Sequence, residues 1–193
     1  MGVTNINIFS LSYCPKQSAK WMVDRHVVKM ILESAQLLST AHRVLDGKLV
    51  EGKTKTGRKK KVYEFSDNRN DMYAATHINH PCAIWTRESS VNYLWLYEGF
   101  CALLEEYHFR YNNLHACEKM RFLLSHIPKN IPKTNEMTPI KCAMDASYII
   151  SDDAIENYRN YYKTGKTHLM SWKRRLPPVW FTSAWQAEKS IAV

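Results

Sequence analysis

Residues 24–43, DRHVVKMILESAQLLSTAHR, constrain this chain more than any other segment. Val27, Val28, Met30, Ile31, Leu32, Ala35, Leu37, Leu38 and Ala41 cover most of the circumference of a helix, so the helix is expected to be largely buried. Against that background His26, Lys29, Glu33, Gln36, Thr40 and Arg43 follow one another at spacings of 3, 4, 3, 4 and 3. Such spacing stacks them along one narrow face. Buried ionisable groups need partners because desolvation is costly. The stripe therefore faces a ligand pocket, a structural polar network, or a plain wet exterior, and the sequence leaves all three open.

The residue types suggest chemistry. Glu33 is suited to act as a general base or to stabilise a developing cation. Lys29, one turn earlier, becomes an amine nucleophile where desolvation strips its proton, a tendency that Glu33 opposes. His26 titrates near neutrality in water. Gln36 and Arg43 suit recognition of bases or phosphates. A second segment, residues 77–100, HINHPCAIWTRESSVNYLWLYEGF, supplies His80, Arg87, Glu88 and Asn92 as polar groups expected near the stripe, with Trp95 continuing that face. An aromatic beside amide and guanidinium groups can stack a base; the plainer reading of Trp85, Trp95 and Tyr97 is ordinary core. His77, His80 and Cys82 are close in sequence, but their spacing fits no strong zinc pattern, so no metal site and no cofactor are expected.

Around these two segments the chain reads as mainly α: a compact single-domain helical bundle over residues 1–193 with a small β-hairpin insertion at about residues 48–65. Asn7 to Leu11 reads as a strand or an extended start, broken at Cys14-Pro15. One helix is expected over about residues 18–45, stopped at Asp46-Gly47. Hairpin arms at residues 48–50 and 61–65 flank a polar tip containing Gly57. A second long helix begins near Pro81 and runs to about residue 112, with an interruption near Gly99. A further helix covers about residues 115–126, and a proline-containing loop, IPKNIPKTNEMTPIK, follows it. Asp153 and Glu156 resemble a capping box for a helix through Tyr162, with Gly165 as its stop. The tail, with Trp172-Lys173-Arg174-Arg175 and PPVWF, is expected to pack as a lid.

Charge is local. The net charge is +9, yet KTKTGRKKK alone contributes Lys53, Lys55, Arg58, Lys59, Lys60 and Lys61 with no acid. Such a cluster is a phosphate-binding footprint, or else a solvated charge run on a loop. No apolar run approaches the roughly 20 residues of a membrane span, and the first residues lack the pattern of a secretory signal. The five scattered cysteines include no CxxC pair. These features point to a cytoplasmic protein with reduced thiols.

The run VDRHVVKMILESAQLL resembles the helix of the pyrimidine dimer DNA glycosylase (endonuclease V-like) group, with His26, Lys29, Glu33 and Gln36 in a similar frame. His80-Pro81 with Trp85 is similar to that group's His-Pro segment. The likeness covers about half of the chain. With NIF near the start, YRNYY and PPVWF, nearly the whole chain apart from the basic hairpin is similar to proteins of tailed bacteriophages, so the protein is expected in a host-cell cytoplasm if phage-encoded. The resemblance implies a mostly helical protein that binds DNA, flips out a damaged or modified base and cleaves its glycosidic bond without a metal. The group uses its terminal amine as nucleophile beside a glutamate. This chain departs there, because six residues precede Asn7, and that puts strand cleavage through a Schiff base in question. Two other readings stay open: a phage protein that binds a nucleotide or host factor without chemistry, and an enzyme acting on free nucleotides.

Overall fold

The computed structural model describes residues 6–53, 56–67 and 69–182. Lys55 and the terminal amine, both named above, lie outside the described residues. The fold is mainly α with one two-stranded antiparallel hairpin. The opening segment, residues 6–10, is extended but joins no strand ladder, and it is buried throughout. Helix α1 (Pro15–Trp21) starts with proline at its first turn, where a missing N–H costs nothing. Helix α2 (Asp24–Asp46) is the central rod; Val27, Met30, Ile31, Ala35, Leu37, Leu38 and Ala41 are all inaccessible to solvent. Strands β1 (Lys48–Lys53) and β2 (Lys59–Glu64) follow, then α3 (Pro81–Glu88), α4 (Ser90–Tyr111), the short α5 (Arg121–Ser125) and α6 (Ala154–Gly165). Helix α2 packs against α3 and α4, and α1 packs on α4.

The single helix expected over residues 18–45 is two helices. Met22 and Val23 are extended, and Arg110 of α4 holds the break open. Its guanidinium, fully buried, donates to the carbonyls of Lys20 and Met22 and to the Asp24 carboxylate, while its Nε pairs with Glu106. Carbonyls that a continuous helix would have used internally are taken by a charged donor, a stronger partner than a neutral amide.

The second long helix is also divided, at Ser89 and not at Gly99. Ser89 is extended and its side chain accepts from the Asn92 N–H, a serine cap that competes with continued helix. Gly99 stays helical, and a Cβ there would meet the Pro15 ring carbon at 3.6 Å, an ordinary packing distance, so the glycine does not interrupt the helix and is not required by the α1–α4 contact. The region of residues 115–126 is a 3-10 turn (Ala116–Met120) that passes into α5.

The hairpin arms run farther than the sequence suggested, with Val50 opposite Val62 and Lys53 opposite Lys59. Gly57 at the tip has φ +82°, a conformation open to glycine at little cost. The proline-containing segment is a loop tied down by side chains: Asn92 donates to Thr138 Oγ1 and accepts from the Thr138 N–H, and Trp85 Nε1 donates to the Thr138 carbonyl. Asp153 caps α6 through the Ile155 N–H. The C-terminal segment folds back over the α1–α2 junction, where Trp172 Nε1 donates to the Trp21 carbonyl and Trp180 meets Trp21 edge-on. No helix among the described residues is long and apolar enough to cross a membrane.

Candidate functional site

The middle of the α2 stripe opens onto a cavity of about 440 Å³, within the size range of small-ligand sites. Ile6, Val28 and Leu32 form its apolar wall; Lys29, Glu33, Gln36, His77 and His115 are its polar groups. Glu33 is the most enclosed of these, at 7% exposure. Lys29 Nζ lies 2.9 Å from Oε1, and the backbone N–H of Asn7 donates to Oε2 at 2.8 Å. The carboxylate is thus met by one cationic partner and one backbone dipole, the kind of pairing that a buried carboxylate needs.

Asn7 is itself immobilised. Its Oδ1 accepts from the N–H groups of Ile8 and Phe9 and from the Tyr158 hydroxyl, and its Nδ2 donates to the Ala143 carbonyl. The extended opening of the chain is thus pinned across the central helix at the position of Glu33. On the opposite side, Thr40 Oγ1 both accepts from the Thr76 N–H and donates to the Thr76 carbonyl. This clasp sets His77 at the rim with φ +49°. Left-handed backbone is uncommon outside glycine, although histidine is among the residues enriched there; such positions gather at functional sites.

His115 begins the turn that packs on α2, and its Nδ1 accepts from the Cys117 N–H at 3.1 Å. Burial lowers its pKa from the ordinary histidine value, which favours the neutral ring. With Nδ1 acting as an acceptor, the ring proton is on Nε2.

The stripe passes through three environments. His26, at one end, is turned into the core: it hydrogen-bonds the Tyr162 hydroxyl and packs tilted against the Phe9 ring, with centroids 4.2 Å apart. Burial first, and then the charges of Lys166, Lys29 and His168, lower its pKa to about 3. It does not reach the cavity. Lys29, Glu33 and Gln36 do. Arg43, at the other end, is a structural clamp whose guanidinium donates to the carbonyls of Tyr63, Met72 and Tyr73 and lies over the Phe65 ring.

The residues expected from the second segment are used elsewhere. His80 caps α3 by accepting from the Cys82 N–H, and Arg87 donates to the Ile78 carbonyl. Glu88 accepts from Thr138 Oγ1, Asn92 holds the same loop, and Trp95 donates to the Tyr13 carbonyl while meeting Trp85 edge-on. None of the five lines the cavity. The polar wall comes instead from His77 and His115. A signal for His115 is visible in the sequence: His80-Pro81-Cys82 and His115-Ala116-Cys117 share the pattern H-x-C, and in both the histidine Nδ1 caps the cysteine N–H.

A shallower depression of about 580 Å³ lies where the hairpin meets the Arg43 end of α2, lined in part by Lys53, Lys60, Tyr63 and Phe65. Arg43 is ten residues beyond Glu33, roughly 15 Å along the helix axis. Lys53, Lys59, Lys60 and Lys61 are exposed, as is Arg58 at the tip. Among the described residues, no group of three or more histidine, cysteine, aspartate or glutamate side chains is placed to hold a metal. No protein-family model, no curated protein and no solved structure matches the chain.

Proposed function

We propose that this chain is an endonuclease V-like DNA N-glycosylase, in which a damaged or modified base leaves the duplex and enters the cavity beside Glu33. The observation that carries the reading is the Glu33 carboxylate itself: buried, anchored by Lys29 and the Asn7 N–H, and lining an open cavity whose apolar residues are Ile6, Val28 and Leu32. With Lys29 and Glu33 balancing one another, the cavity suits an uncharged ring better than a phosphate. Phosphates belong at the hairpin, where exposed basic side chains border the depression at the Arg43 end of the same helix.

A base inside a duplex hides its glycosidic bond, so extrusion must come first. As the bond between the anomeric carbon and the base nitrogen breaks, its electron pair leaves with the base and positive charge develops on the sugar. The fixed carboxylate of Glu33 stabilises that charge. Water adds to the anomeric carbon and gives its proton to Glu33, and the departing base takes up a proton from solvent. Lys29, paired to Oε1 at 2.9 Å, serves as the cationic partner of Glu33, a role that competes with service as a free nucleophile.

The test is incubation with duplexes carrying assorted damaged or modified bases, scored for free base and for strand breaks. Wild-type protein releases a base from at least one duplex, and Glu33→Gln loses release while retaining DNA binding. Release unchanged in Glu33→Gln rejects the assignment. Borohydride trapping on the same duplexes reports whether an amine forms a covalent intermediate.

A further inference from the structure

We infer that His115 is the hydrogen-bond donor that engages the base held in the Glu33 cavity, an assignment that rests on the glycosylase reading and extends it to a residue outside α2. Three observations carry it. His115 lines the cavity together with Glu33 and Gln36. Its Nδ1 is committed, because a backbone N–H can only donate and that of Cys117 is 3.1 Å away. Its ring meets Tyr107 edge-on with centroids 5.1 Å apart, which limits rotation. Nε2 is therefore a donor in the neutral ring and in the cation alike, and the ring cannot exchange tautomers without breaking the cap.

A donor of fixed polarity suits a leaving base. As the glycosidic bond lengthens, the electron pair accumulates on the base, and a hydrogen bond from Nε2–H to a ring nitrogen or exocyclic oxygen strengthens with it. No proton need be transferred. Glu33 then attends the sugar and His115 the base, while Gln36, with no hydrogen-bond partner among the described residues, can present either its oxygen or its amide to a second edge atom. His77, on the rim, makes its own bond to Thr76 Oγ1 at 2.8 Å and is not assigned this role.

Two substitutions separate the cap from the donor. In His115→Asn the side-chain oxygen falls near the position of Nδ1, so the bond to the Cys117 N–H is kept and the cavity-facing donor is lost. In His115→Gln the amide nitrogen falls near Nε2, so the donor is kept and the cap is lost. The full chain is titrated with the four natural deoxynucleosides by calorimetry, thermal midpoints are recorded for each variant, and base release is measured on any duplex that the wild type cleaves. The expected pattern is that His115→Asn keeps the wild-type midpoint but weakens nucleoside binding about tenfold and slows release at least as much. His115→Gln shows a lowered midpoint with binding within about threefold of wild type. Release by the wild type stays flat between pH 7 and 9, as a donor that transfers no proton requires.

A purely structural His115 gives the opposite pattern, with His115→Asn behaving as wild type and His115→Gln impaired in both respects, and that result overturns the inference. Should His115→Asn release base at the wild-type rate, the inference fails alone and the glycosylase reading stands. A wild type that neither binds a nucleoside nor releases a base removes both.

Discussion

The backbone N–H of Asn7 donates to Glu33 Oε2 at 2.8 Å, so among the described residues the buried carboxylate is held by Lys29 and by the main chain of the opening segment. Asn7 can do this because its own side chain is fully engaged. Replacing it with alanine leaves the N–H groups of Ile8 and Phe9 without their acceptor and removes a partner of Tyr158. Buried donors left unpaired cost about 1–3 kcal/mol each. Asn7→Ala is therefore expected to lower unfolding stability by about 2–4 kcal/mol, read as a shift in urea midpoint with little change in slope. A loss below about 0.5 kcal/mol would show that this network does not hold the segment in place.

Stability should also fall on mild acidification, through histidines buried in the neutral form. Burial is the largest cause at both His26, whose pKa is lowered to about 3, and His42, lowered to about 4. His42 contacts the Tyr93 hydroxyl at 2.9 Å and also lies near Arg69, whose charge adds to the depression. In the unfolded chain both return to about 6.5. Between that value and the folded values the unfolded state binds more protons, so the stability they contribute is complete above pH 6.5 and is lost as pH falls toward 4 and then 3. Asp24, Asp46 and Glu106, whose folded pKa values are lowered, add losses of the same sign at still lower pH. Unfolding stability, read from urea midpoints, is expected to drop between pH 7.5 and pH 5 by up to about 4 kcal/mol, about 2 kcal/mol for each ring. A flat profile over that window would mean that neither ring is held neutral by the fold.

The helical class and the hairpin were legible because each rests on local signals: the nearly all-round apolar α2, the proline at the start of α3, and Gly57 between two β-prone arms. The breaks at Met22–Val23 and at Ser89 were less so. The first depends on Arg110, nearly ninety residues away in sequence, and no pattern in residues 18–45 announces it. The second had a signal, the serine three residues before Asn92, that competed with the more conspicuous Gly99. In the α2 stripe, periodicity correctly placed six residues along one side of a helix, but what each end of that side meets is decided by other elements. His26 meets Phe9 and Tyr162, Arg43 meets the carbonyls of Tyr63, Met72 and Tyr73, and the three middle residues alone face open space. The cavity's far wall comes from His77 and His115, one on a loop and one at the start of a short turn, where hydrophobic periodicity carries no information.

Arg43 supplies a test of the clamp. Three carbonyls from two segments converge on one planar guanidinium, a geometry that a lysine ammonium does not reproduce. Arg43→Met and Arg43→Lys are both expected to lose about 2–4 kcal/mol, since charge-assisted hydrogen bonds contribute about 1.5–3 kcal/mol each and partial rearrangement recovers some of that. Amide hydrogen exchange should accelerate first in β2 and in the loop that carries Met72 and Tyr73. If Arg43→Lys matches the wild type in both measurements, positive charge alone is what the position requires.

The hairpin register makes the last expectation specific to a face. Residues opposite one another across an antiparallel pair point to the same side. Lys53 and Lys59 are such a pair, with Lys61 on their side; Lys60 shares the other side with Val62 and Gly52, and these three line the depression at Arg43, as Lys53 at the strand end also does, whereas Lys59 and Lys61 do not. Directly opposed like charges destabilise a free hairpin, and Glu51, 3.5 Å from Lys59, partly offsets the Lys53–Lys59 pair. If duplex DNA lies along the depression at Arg43, Lys60→Ala should weaken binding equally for all sequences and reduce the slope of log affinity against log salt by about 0.9, the value for one phosphate contact. Lys61→Ala, on the outer side, should change the slope by less than half as much. Both residues are exposed, so neither substitution should move unfolding stability by more than about 0.5 kcal/mol. A larger slope change for Lys61 than for Lys60 would put the DNA on the outer face of the hairpin and would count against phosphates running along the depression at Arg43.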